Sequence, residues 1–306
     1  MEGGQRHPKL LLDGLVYPES PRWFDEKLWL VDMHAHRVLT VDLQGVTNTI
    51  AELDDRPSAV GFLPDGSPLV VSARKRLILR VDPSGHTVYT DLSAIPGDDF
   101  NDMVIDGSGH IYVGNRFHRH AMAEGHSPDG IIFVPPGGAG REVANDVPAP
   151  NGLAITPDGR TLIVALSRAN RLLAFDIEED GTLTNRRVFA DFHDATPEPR
   201  SARRPSPDGI CLDAEGGMWM GSPGTHEFLR ILNGGEITER IRLPASRRAV
   251  ACALGGKARR SLFLVISETT DETLAAARLG PEGERTSTSK GWIEVVDIQV
   301  PGAGWP

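Results

Sequence analysis

A short pattern that returns six times constrains this chain more than any other feature. In PNGLAITPDG (150–159) a polar residue opens a short apolar run, and an acidic turn residue follows seven positions later. Asn151 leads in this way to Asp158, Asp208 to Glu215, Ser58 to Asp65, Asn101 to Ser108 and, over a weaker apolar run, Glu19 to Glu26. A sixth, degenerate copy, AVACALGG, puts Ala249 in the leading slot ahead of Gly256. The slots stand at 19, 58, 101, 151, 208 and 249, separated by 39, 43, 50, 57 and 41 residues. Periods of this size signal a repeat architecture.

Each unit reads as strands. Paired apolar runs follow every turn: LWLVDM and RVLTVDL, PLVVSA and LILRVD, HIYVGN and GIIFVP, TLIVAL and RLLAFDI, GMWMGS and FLRIL, SLFLVIS and WIEVVDIQV. These β-branched, aromatic and leucine-rich runs lie between Gly, Pro, Asp and Asn clusters, as short antiparallel strands do. No segment shows a long run at helical spacing. The expectation is all-β: a six-bladed β-propeller, with residues 1–306 forming one domain. KLLLDGLVYP is expected to lend a strand to the last blade beside WIEVVDIQV, because closing the ring with strands from both ends removes exposed edges.

If each slot opens the innermost strand of its blade, the six slot residues form a ring at one mouth of the channel: Glu19, Ser58, Asn101, Asn151, Asp208 and Ala249. Two carboxylates converging with two carboxamides need a partner, since burying unpaired charge is costly. A divalent cation satisfies all four, and oxygen-only donors favour a hard ion, Ca²⁺ first, then Mg²⁺ or Mn²⁺. Zn²⁺ is compatible but more often takes nitrogen or sulfur ligands.

Composition narrows the partners. The net charge of −10 and the absence of a basic block disfavour nucleic acid and anionic membranes. No run of 18 apolar residues occurs, and MEGGQRHPKLLLDGL lacks the apolar stretch of a signal peptide. Cys211 and Cys252 each stand three residues after a slot, so they occupy one strand position in adjacent blades and read as small core thiols. A reduced, cytoplasmic protein acting on a small molecule, monomeric or weakly self-associating, is the simplest expectation. There is no G-x-S-x-G elbow, Walker loop or paired-cysteine zinc pattern, and the Gly-rich PPGGAG (135–140) joins strands instead of opening a helix.

Second strands return toward the same mouth, which places His34, Ala73, Arg116, Leu166 and Pro223 around the ring as an outer shell. RFHRHAMAEGHSPDG (116–130) and ATPEPRSARRPSP (195–207) are the long insertions suited to cover a site, since functional groups concentrate on loops held by a scaffold.

The segments ESPRW, FND, NGLAITPDGRTL, SPDGICLDAEGGMW, ACALGG and VPGAGWP resemble the signatures of the senescence-marker-protein/gluconolactonase family, which includes regucalcin. The resemblance runs along essentially the whole chain. It implies a six-bladed propeller with one divalent metal in the channel, held by Glu19, Asn151 and Asp208, and Asn101 contacting substrate or metal-bound water. It also implies lactone hydrolysis, and that chemistry needs a channel carboxylate to deprotonate the attacking water, Asp208 first and Glu19 second. A non-hydrolytic metal-assisted isomerase, cyclase or dehydratase, and a non-catalytic metal-binding propeller, are the alternatives. The chain departs from the sugar-lactonase pattern at Asp99, where those relatives carry an arginine two residues before the substrate asparagine. Ala73 and Leu166 also replace larger or more polar residues. Asp99, Arg116, His34 and Ser58 are therefore the residues expected to set substrate contacts, and His118 and His120 are further candidates for missing donors.

Overall fold

Burial sorts the strands by distance from a central axis. Pro57–Phe62 and Asp99–Ile105 are buried at every position, whereas Gly85–Asp91 is exposed over most of its length. The computed structural model describes residues 7–117, 129–193 and 204–304. Among these, the strands form six four-stranded antiparallel sheets, five of them running inside to outside in chain order and the sixth taking the first strand of the chain as its outer one. The innermost strands are Pro18–Phe24, Pro57–Phe62, Asp99–Ile105, Pro150–Ile155, Ile210–Leu212 and Arg248–Gly255, opening blades 1 to 6, and successive ones touch around the channel. The chain is the all-β, six-bladed propeller that its repeats predict.

Ring closure follows the expected route. Lys9–Leu15 pairs antiparallel with Lys290–Asp297, from Lys9 opposite Val295 to Leu15 opposite Gly291, and so completes blade 6. Apolar side chains fill the seams between blades, one buried cluster to each seam. At the closing seam Trp23 of blade 1 stacks on Phe263 of blade 6 with ring centroids 5.2 Å apart. A β-carbon added to Gly255 would lie 2.3 Å from that indole, so only glycine fits beneath it. Cys211 and Cys252 are free thiols with sulfurs 3.7 Å apart in the seam between blades 5 and 6, where they serve as packing.

The acidic residues seven positions after the slots are turn formers. Asp65 accepts from Ser67 N at 2.8 Å and Asp158 from Arg160 N at 3.1 Å. One element departs from the sequence reading. Blade 6 carries two helices between its second and third strands, α1 (Asp271–Leu279) and α2 (Pro281–Arg285). Thr270 caps α1 by accepting from Thr273 N. Gly283 lets the helices cross closely: a β-carbon there would lie 2.0 Å from the Ala276 carbonyl oxygen. No helix of the described residues is long and apolar enough to cross a membrane.

Candidate active site

Five of the six slot residues sit at a defect in their strand. In blades 1, 2, 3, 4 and 6 the inner strand carries one extra residue against its neighbour, between Glu19 and Arg22, Pro57 and Ala59, Phe100 and Met103, Pro150 and Leu153, and Ala249 and Ala251. Bulges of this kind bend a strand and re-aim side chains. Ser20 in the first bulge adopts a left-handed φ of 48°, a strain that buried contacts must hold in place. In blade 5 the ladder starts only at Ile210, and Asp208 is fixed by its own N–H donating to Gly221 O at 3.0 Å.

Glu19, Asn101, Asn151 and Asp208 converge on one cavity of about 260 Å³ at the channel mouth. His34 and Arg116 line it as expected, with Pro223 from the predicted outer shell. Two expected substrate residues do not line it. Ser58 is buried and donates its hydroxyl to Asn101 O at 2.8 Å, because so short a side chain is spent on the neighbouring strand. Asp99 is also buried and binds the guanidiniums of Arg56, in a short contact, and Arg116, at 3.3 Å. Both are supports for the wall. Ala73 and Leu166 pack in the core behind it, while Ser167 and Arg168, just after Leu166, face the cavity. His118, His120 and most of 195–207 lie outside the described residues.

The sequence reading missed three groups. Arg56 lines the cavity and stands two residues before Ser58, the position that Asp99 holds relative to Asn101, so the arginine absent from blade 3 is supplied by blade 2. The same slot arithmetic could have found it. Asp102 lies beneath the site, accepting from Ser20 Oγ and Arg22 Nη2 at 3.1 Å each, from Met103 N at 2.9 Å and from Leu153 N at 3.3 Å. It thereby ties blades 1, 3 and 4 together under the cavity. Leu274 and Ala277 of α1 form part of the roof.

Electrostatics single out Glu19. Burial deep in the channel raises its pKa well above the ordinary glutamate value, and the carboxylates of Asp208 and then Asp102 push it further up. His34 is driven the other way, to about 4, chiefly by burial against Tyr17, with which it stacks at 4.7 Å. It is therefore a neutral imidazole at neutral pH, its Nδ1 3.1 Å from Ser287 Oγ.

The donor set suits a hard cation. The Asn101 amide nitrogen donates to Pro150 O at 3.1 Å and that of Asn151 to Ser167 Oγ at 3.1 Å, so each amide keeps its oxygen as the end that can face an ion. Among the described residues no group of three His, Cys, Asp or Glu side chains is arranged for a metal, so binding here depends on carboxamide oxygens joining two carboxylates. A dication among them would relieve the repulsion that raises Glu19.

A six-bladed propeller whose channel mouth gathers two carboxylates and two carboxamides presents an oxygen-rich donor set on its axis. Residues 17–268 match the SMP-30/gluconolactonase/LRE-like region, and the chain belongs to that family. It is 24% identical to a 6-deoxy-6-sulfogluconolactonase of Pseudomonas putida, with 82% of this chain and 84% of that protein aligned. It is 27% identical to regucalcin of Danio rerio, over 80% of this chain and 81% of the relative. Among solved structures, a luciferin-regenerating enzyme superposes with a TM-score of 0.76 at 18% identity, covering 97% of this chain and 98% of that one. A gluconolactonase from Xanthomonas campestris superposes with a TM-score of 0.71 at 21% identity, covering 96% and 90%. These likenesses agree with the six-bladed fold.

Proposed function

We propose that this protein is a divalent-metal-dependent hydrolase that opens a small lactone. The observation carrying the reading is the convergence of Glu19, Asn101, Asn151 and Asp208 on one cavity at the channel mouth. Membership in a family that includes lactonases supports it. The ion would sit on Glu19, Asn151 and Asp208, where it would polarise the lactone carbonyl and offset charge developing on its oxygen. A solved relative described as a calcium-binding regucalcin makes Ca²⁺ the first ion to test.

The chain's own residues perform the proton transfers. Asp208 takes a proton from the attacking water as the new C–O bond forms at the carbonyl carbon. When the ring C–O bond breaks, the same carboxyl returns the proton to the leaving alkoxide, giving the hydroxy acid with no covalent enzyme intermediate. Asn101 orients the substrate, and Arg56 and Arg116, held by Asp99, donate to its oxygens. Neutral His34 forms the adjoining wall and takes no proton at neutral pH.

The test is hydrolysis of aldono-, γ- and δ-lactones by chelator-stripped protein reloaded with Ca²⁺, Mg²⁺, Mn²⁺ or Zn²⁺. Turnover should require the ion and fall at least about a hundredfold in Asp208→Asn, the usual range for a positioned acid–base group. Tight metal binding without opening of any lactone would overturn the hydrolase reading in favour of a non-hydrolytic reaction at the same site.

A further inference from the structure

The cavity has two unlike halves. Contiguous blades 2, 3 and 4 contribute Arg56, Arg116 and Arg168, whereas blades 5, 6 and 1 contribute, beside Glu19, His34, Ser206 and Asp208, an apolar patch of Pro223, Leu274, Ala277 and Met33. Arg248, the one arginine of the lining on that second side, is engaged with the insertion itself: Nη2 donates to Asp271 at 2.7 Å and Nε to Thr269 O at 3.3 Å.

The apolar half depends on α1 and α2, which are tied down across three blades. Arg248 holds the start of α1. Arg74 of blade 2 donates to Ala277 O at 3.0 Å and, in a short contact, to Glu284. His36 of blade 1 lies 2.7 Å from the second Glu284 oxygen, and Arg56 lies 3.6 Å from the first. Glu284 itself is 1% exposed. Burial alone would raise its pKa, but the bonds to His36 and Arg74 outweigh it and leave the carboxyl below the ordinary value. One buried carboxylate thus fastens the roof and, through Arg56, the polar wall.

Resting on the lactonase reading, we propose that this insertion is a fixed specificity wall: the substrate is a lactone with an apolar substituent seated under Leu274 and Ala277, and Glu284 is the positioning residue that holds the wall in place. A polyhydroxylated ring seated under the roof would set hydroxyl groups against the side chains of Leu274, Ala277, Met33 and Pro223, which carry no hydrogen-bonding N–H or O–H group, and such groups are penalised when desolvated. An alkyl group loses nothing there and gains by leaving water. The cavity of about 260 Å³ limits that substituent to a short one.

The test compares kcat/KM of the metal-loaded enzyme for γ-lactones of increasing alkyl chain with that for hydroxylated lactones of the same ring. The expected result is a gain of up to about fourfold per methylene until the cavity is filled, the transfer value of one buried methylene. Leu274→Asn should lower the preference for the alkyl lactone over the unsubstituted ring by about tenfold, through KM, while Leu274→Met retains it. Glu284→Gln should erode the same preference, and an unchanged preference would remove Glu284 from its role. A flat series, or better turnover of hydroxylated rings, overturns the proposal. If no lactone is hydrolysed, the hydrolase reading fails separately, and thermal shift with the matching alkyl and hydroxylated γ-lactams decides. Stabilisation that grows with chain length upholds the apolar wall, and its absence refutes it.

Discussion

His34 should make the protein progressively less stable as the solution is acidified. Its ordinary pKa of 6.5 applies to the unfolded chain, and its folded value is about 4. Between these values the unfolded state binds more protons, so stability rises with pH across that window. No penalty exists above the unfolded pKa, and the full penalty is reached below the folded one. At pH 5 the unfolded imidazole is almost fully charged while the folded one is almost fully neutral, a cost of about 2 kcal/mol at 1.36 kcal/mol per unit. The imidazole is 7% exposed, so solvent screening does little to reduce this figure. Denaturant unfolding at pH 7.5 and pH 5 measures it, with His34→Phe as reference because phenylalanine keeps an aromatic ring against Tyr17. The wild type should lose about 2 kcal/mol more than the variant between the two conditions. Equal losses would mean that the folded imidazole protonates normally and would refute the assignment of His34 as a neutral wall residue.

Two further outcomes test the scaffold. Asp102→Asn should cost about 3 kcal/mol in chemical denaturation, since it leaves the largely covered guanidinium of Arg22 without its counter-charge, and a loss below 1 kcal/mol would contradict its role as the tie beneath the site. Gly255→Ala should lower stability by about 1–3 kcal/mol, because the new methyl must displace Trp23 from its stack on Phe263, and an unchanged melting temperature would show that the seam is loosely packed.

The repeat made the ring legible because propeller symmetry places one slot of every unit at the same height on the axis. Glu19, Asn101, Asn151 and Asp208 could be named from spacing alone for that reason. What spacing does not encode is the direction a side chain takes at a bulge. Ser58 holds a slot but is too short to cross the channel, and it bonds to Asn101 O instead. Asp99 stands where an arginine was sought, and it works from behind by holding Arg56 and Arg116. Asp102 escaped notice because it follows a slot and points downward. The roof escaped for another reason: α1 is a nine-residue helix with alanines around Leu274, too short for an apolar stripe to stand out. Besides Arg248 nearby, its anchors His36 and Arg74 come from blades 1 and 2, more than two hundred residues away in sequence.

The join in blade 6 has a consequence for how the site comes into being. The closing strand ends at Leu15 and the inner strand of blade 1 begins at Pro18, so Glu19 hangs directly from the piece that zips onto Lys290–Asp297. Glu19 is paired with Val31 inside blade 1, but it meets Asp208 of blade 5 across the sixth blade, so the two carboxylates face one mouth only once that blade is in place. Closure of the circle and completion of the donor set are one event. During biosynthesis, an unfinished chain would thus lack a complete set of four donors, and the finished chain would acquire it as it locks shut.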